Sequence, residues 1–211
     1  MKKMLIIAAM AAIGAAAQAT IYSFDVFTTN GVYGDNPGLN LWADVSSGAV
    51  NDGTATFTFY NESLFDCAIS EIYFDDGTLL GISIISNGPG TEFFTGGNNG
   101  VNPGNLPAGN NLTPPFEATQ SFSIEPTNPE PQNGVNTGEW VSITFDLIDG
   151  QNLPDVLDSI ESGALRVGIH VQAFPGGNSE SALMIPEPAT ALTLALGGLI
   201  IAGYRRFFGR F

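Results

Sequence analysis

The sequence predicts an all-β chain, an antiparallel β-sandwich of jelly-roll type, and three observations predict it. Short segments rich in β-branched and aromatic residues recur throughout residues 20–185. Glycine and proline, 26 and 13 in the whole chain, supply most of the turn signals between them. No rhythm of strand and long helix is present, which argues against a parallel sheet.

In chain order, 21–27 (Ile-Tyr-Ser-Phe-Asp-Val-Phe) alternates poorly but has strand composition, and 39–46 follows as the next candidate strand. Residues 54–60 (Thr-Ala-Thr-Phe-Thr-Phe-Tyr) form a period-two segment, one face of which is apolar. Further strands are expected at 68–74, 79–86, 116–124, 140–147, 165–174 and 181–185. Asp75-Asp76-Gly77 reads as a hairpin turn, because Asp-Gly supplies the positive φ angles of a tight connection. One short helix is expected at 154–162, with Leu157 and Ile160 inward, Asp155, Asp158 and Glu161 outward, and Gly163 ending it. Two stretches crowded with Gly, Asn and Pro, 87–115 and 125–138, read as mobile loops.

The two ends differ from this region. Lys2 and Lys3 precede an apolar run at 4–17, and Ala17-Gln18-Ala19 is a small-x-small cleavage sequence, so residues 1–19 read as a signal peptide. Thr20 follows the cleavage point where a lipoprotein would need cysteine. At the other end Pro186-Glu187-Pro188 leads into 189–204, which carries no formal charge, and then into 205–211 with Arg205, Arg206 and Arg210. As a helix, 189–204 would be about 24 Å long against a hydrocarbon core of about 30 Å, a short transmembrane span. Cations just beyond it hold that end in the cytoplasm and place 20–185 outside.

The three-part order of Pro-Glu-Pro, apolar run and basic end over 186–211 resembles the PEP-CTERM sorting signal of exported bacterial proteins. The resemblance implies processing by an exosortase, a membrane protease-transpeptidase, and delivery to the cell surface or extracellular matrix. Pro129-Glu130-Pro131 repeats the tripeptide but has no apolar run behind it, so it is set aside. The segment from Leu165 to Ala182 is similar to one found near the end of many exported domains that carry this tail, which implies placement and no active site.

Charge narrows the function. All but one of the 21 acidic residues lie within 20–185, while of the six lysines and arginines only Arg166 does. Such a surface repels phosphate backbones, which excludes nucleic acid as a partner. The lone Cys67 forms no intramolecular disulfide and reads as a buried apolar residue. One histidine and one cysteine are too few for structural zinc, and no Gly-x-Ser-x-Gly elbow presents a nucleophile.

Three candidate surfaces remain. Alternation at 165–172 puts Leu165, Val167, Ile169 and Val171 towards the core and Arg166, Gly168, His170 and Gln172 on the other face, where Arg166, His170 and Gln172 offer a polar ligand surface. Asp75 and Asp76 are candidate calcium ligands, with Asp35, Asp52 and Asp66 as further oxygen donors and a hairpin turn as the simpler reading. Among aromatics, Trp140 in its apolar strand reads as core, Trp42 remains a stacking candidate, and Phe93-Phe94 is the better surface candidate. The expectation is therefore a non-enzymatic exported protein without catalytic residues or a required cofactor. A carbohydrate-binding module, with or without calcium, is the alternative, and a carboxylate-pair glycoside hydrolase the third reading.

Overall fold

The computed structural model describes residues 19–47, 53–75, 79–95, 104–119 and 122–186. The signal peptide through residue 18, Asp76, Glu187, Pro188 and 189–211 lie outside these residues. Eleven strands follow in order: β1 (Thr20–Val26), β2 (Leu41–Ser46), β3 (Thr54–Asn61), β4 (Ala68–Asp75), β5 (Leu79–Asn87), β6 (Phe93–Thr95), β7 (Ser123–Pro126), β8 (Val135–Asn136), β9 (Trp140–Leu147), β10 (Arg166–Gln172) and β11 (Glu180–Ile185). Among the described residues two α-helices, α1 (Glu130–Asn133) and α2 (Leu153–Ser162), and a short 3-10 helix at Gly109–Asn111 interrupt them. All pairings are antiparallel, in the order β5-β9-β3-β2-β1-β11-β10-β4-β7-β6, with β8 beside β4.

The all-β expectation holds, and one continuous sheet carries both layers of the sandwich. Phe74 on β4 meets Phe57 on β3 at 5.1 Å and Phe145 on β9 at 4.6 Å between ring centroids, although these strands lie far apart along the sheet path. The sheet must therefore wrap until its halves face each other. At the seam the Asn87 side chain stands in for a backbone rung: its Nδ2 donates to the Phe93 carbonyl at 3.0 Å and its Oδ1 accepts from the Phe93 N–H at 2.7 Å. A side-chain amide offers the same donor and acceptor pair as a peptide, so the ends of the path are joined almost as a barrel.

Alternation fills the interior as the sequence indicates. Ala55, Phe57 and Phe59 of β3, Val141, Ile143 and Phe145 of β9, and Val167, Ile169 and Val171 of β10 are all buried. Cys67 is buried and free, and burial pushes its thiol above the ordinary range. Helix α2 covers one end of the core with Leu153, Val156 and Ile160, and Gly163 closes it in a left-handed conformation at φ 75°. Asp155 is not merely solvated, because its carboxylate accepts the Asn152 N–H at 2.9 Å at the helix start.

Three local expectations are corrected. Asp75-Asp76-Gly77 does not join a hairpin: β4 is flanked by β10 on one side and by β7 and β8 on the other, while β5 pairs with β9 across the molecule. The expected strand at 116–124 is reduced to β7, and residues 104–119 instead form a strap over the outer face of β4 and β10. Tyr73, Gly168 and Leu183 occupy one cross-strand row there, and Leu106 and Phe116 pack onto it. A Cβ at Gly168 would lie 2.6 Å from Leu106 Cδ2, so the missing side chain makes room for the strap. The stretch 125–138 is likewise built, into the end of β7, α1 and β8.

Phe74→Ala removes the ring on which both halves converge and should cost about 3–5 kcal/mol. Chemical denaturation of the full chain checks this, and a loss well under 1 kcal/mol would mean that the cross-core ring contact is not what holds the halves together.

Candidate ligand surface

The polar strip expected on β10 is divided by Gly168 and its cover. At one end the Arg166 guanidinium pairs with Asp75, directly opposite in register, and donates to the carbonyls of Pro114 at 2.7 Å and Pro115 at 2.5 Å. Its Cζ sits 5.3 Å from the Phe116 ring centroid, and Asp75 also accepts the Glu117 N–H at 3.2 Å. Arg166 is thus the clip that fastens the strap, and Asp75 is occupied by it. Among the described residues no group of three or more His, Cys, Asp or Glu side chains is arranged to hold a metal ion.

At the other end of the strip His170 and Gln172 do come together, with Nε2 of Gln172 3.5 Å from Nδ1 of His170. The same nitrogen lies 2.7 Å from Oε2 of Glu71, the cross-strand partner of His170. Tyr73 lies beside this pair, its phenol pushed far above the ordinary range first by burial and then by the Glu71 charge. Burial, with Glu130 and Glu71 nearby, also raises the Glu125 carboxyl. The Glu71–His170 contact ties β4 to β10.

A different surface lies on the outer face of β2, β3 and β9. Trp42, Tyr60 and Trp140 stand in one cross-strand row, each opposite the next. The Trp42 and Tyr60 rings stack, with centroids 3.9 Å apart and planes 14° from parallel. Trp140 is half-buried on this outer face and not in the core, because the inward positions of β9 are the alternate residues beginning with Val141. Gly88 flanks its indole, where a Cβ would come within 2.9 Å of Trp140 Cε2. Phe93, expected at the surface, is 4% exposed because the β5–β6 seam turns it inward, whereas Phe94 remains half-buried. The aromatic surface exists, but on residues other than Phe93-Phe94.

The next row is polar, running through Asp44, Thr58 and Ser142. Thr58 Oγ1 and Ser142 Oγ are 2.9 Å apart, and one row further Thr56 and Thr144 repeat that hydroxyl pair at 2.9 Å. Asp44 Oδ1 is buried without a hydrogen-bond partner. Burial raises its carboxyl above the usual aspartate range, and the Thr58 side-chain hydrogen bond opposes this. Burial followed by the Asp44 charge likewise raises the Tyr60 phenol.

Beside this platform a groove of about 300 Å³ opens between β1 and β2. Its origin is a register that stops: β1 pairs with β2 only from Thr20 to Ser23, and Ser23, opposite Trp42, is the last rung. Beyond it β1 remains paired with β11 while residues 34–41 swing away from it. Ser23, Asp25, Asp35, Asn36 and Asn40 bring polar groups to the groove, with Leu39 and Leu41 among its apolar lining. The swinging wall is fastened by the Gly38 N–H on Asn36 Oδ1 at 2.8 Å, the Leu64 N–H on the Gly38 carbonyl at 2.8 Å and the Asn40 N–H on Ser63 Oγ at 3.1 Å. Glu180, 1% exposed, anchors the preceding turn by accepting from Thr28 Oγ1 at 2.5 Å and the Gly31 N–H at 2.7 Å.

Comparison with protein-family models, curated proteins and solved structures gives no match for this chain.

Arg166→Met should expose the strap: thermolysin should cut near Leu106, Leu112 or Phe116 faster than in the native chain, and stability should fall by about 2 kcal/mol, between a surface and a buried ion pair. Unchanged cleavage would show that apolar packing alone holds the strap.

Asp44 yields a pH prediction. A carboxyl raised on folding favours the protonated folded state, so its contribution is present below the ordinary aspartate range and is lost as pH rises through the elevated folded value. Asp44→Asn should therefore melt higher than the native chain at neutral pH, and the difference should shrink as pH is lowered through that window. Calorimetric scans across the acid range check the sign, and an equal or lower melting temperature at neutral pH would refute it.

Proposed function

We propose that this is a non-enzymatic exported protein, sorted by its carboxy-terminal signal to the cell surface or extracellular matrix, where its β domain holds polysaccharide. The sorting half rests on the ordered Pro186-Glu187-Pro188, uncharged run and Arg205, Arg206 and Arg210, matched at the other end by a signal-peptide pattern closing at Ala17 and Ala19. An exosortase-type protease and, before processing, the membrane are its partners. Pro186, the last described residue, is exposed just after β11. Among the described residues no helix is long and apolar enough to cross a membrane.

The polysaccharide half is carried by the Trp42, Tyr60 and Trp140 row beside a polar groove. Stacked indole and phenol rings next to hydroxyl and amide groups match the alternating apolar and polar faces of a sugar ring. Calcium is not required for this reading. Asp75 is committed to Arg166.

Two measurements on the full chain test the proposal. Immunoblotting in a host with and without an exosortase should show a smaller product only when the enzyme is present, and replacing Pro186, Glu187 and Pro188 by alanine should abolish it. A tail that stays intact in every compartment would sink the sorting half. Release of reducing ends from a bound glycan would overturn the non-enzymatic assignment.

A further inference from the structure

We infer that the β1–β2 groove is a sugar-ring subsite that takes uncharged glycan chains, with the open face of Trp42 as its stacking surface. This rests on the polysaccharide-holding reading and locates it. Tyr60 covers one face of the Trp42 indole from the β3 side at 3.9 Å. On the β1 side the register partner of Trp42 is Ser23, small and exposed. Ser23 is also a groove residue, so the last rung of the β1–β2 ladder joins the indole to the cavity.

Three properties select the occupant. A volume of about 300 Å³ is at the small end of ligand sites and suits one or two sugar rings of a longer chain. The groove brings Asp25 and Asp35 carboxylates and Asn36 and Asn40 amides alongside apolar Leu39 and Leu41, the mixture a pyranose needs for its hydroxyls and its C–H face. The chain as a whole has a formal net charge of −15 and no lysine or arginine among the described residues lines the groove, so uronate, sulfate or phosphate groups would enter against the field. The wall is held by backbone N–H groups that donate to Asn36 Oδ1, Ser63 Oγ and the Gly38 carbonyl, which lowers the ordering cost of binding.

The test is titration of the purified full chain with cellohexaose, mannohexaose and chitohexaose as neutral probes and hexagalacturonate as the anionic one, read by calorimetry and tryptophan fluorescence. At least one neutral probe should bind and the anionic one should not. Trp42→Ala should weaken binding about tenfold or more, the scale of a lost stacking contact. Ser23→Tyr, at an exposed position, should weaken it similarly by covering the indole, with the far-ultraviolet circular dichroism of the variant checking that it is folded. Neutral binding that survives both substitutions overturns the subsite and leaves the polysaccharide reading standing. Preference for hexagalacturonate overturns the charge argument. Failure of every neutral probe overturns the inference itself, while retention of the chain on isolated matrix polysaccharide, measured in parallel, decides the broader reading separately.

Discussion

The fold depends on a ring contact made across its interior, where Phe74 of β4 meets Phe57, Phe59 and Phe145 edge-on. Hydrogen bonds along a sheet can only propagate it sideways. Curling it until β4 faces β3 and β9 requires apolar volume that both halves share. With Cys67 free, no disulfide among the described residues substitutes for that packing. Closure at the Asn87 seam and the cover supplied by α2 both follow from a sheet already bent round these rings.

The charge distribution imposes a second constraint. With Arg166 the only lysine or arginine in 20–185, most carboxylates have no cation to pair with. The chain uses backbone N–H groups instead. Glu180 binds the N–H groups of Asn30 and Gly31, Glu139 that of Asn136, and Asp155 that of Asn152. Acidic residues therefore fasten turns, locally at Glu139 and Asp155 and across the chain at Glu180, and the one guanidinium among the described residues is spent where two carbonyls, a carboxylate and a ring converge. Asp44 stands outside this pattern, with one oxygen buried and unpartnered beside the aromatic row.

What the sequence discloses follows the range of the signal. The alternation of 54–60 and of 165–171 is set by a strand's own pleat, and the structure keeps it. Gly163 marks the end of α2 for an equally local reason, its positive φ. Asp75-Asp76-Gly77 misleads because the partner of β4 is chosen by burial far along the chain, not by the turn beside it. The strap is hidden for the same reason: Gly, Asn and Pro read as a mobile loop, and the useful signals, a glycine and a lone arginine on β10, acquire meaning only with Leu106 and Pro114 in place. The candidate site was half legible. Trp42 was visible as a stacking residue and meets Tyr60 across the consecutive strands β2 and β3, but the alignment of Trp140 with them depends on a register between β3 and β9, which lie far apart in sequence.

The pairing of β1 with β11 has a mechanical meaning. Ser23 lies opposite Ile185, so the first strand begins at the same pole of the sheet where the last one ends. A tether continuing from Pro186 would pull on a strand laddered on both sides, to β1 and to β10. Force directed along β11 loads the rungs of both ladders together in shear and does not unzip them one at a time. The same strand carries Glu180, so the end of the sheet at Ile185 and the turn leading to the groove wall share one strand.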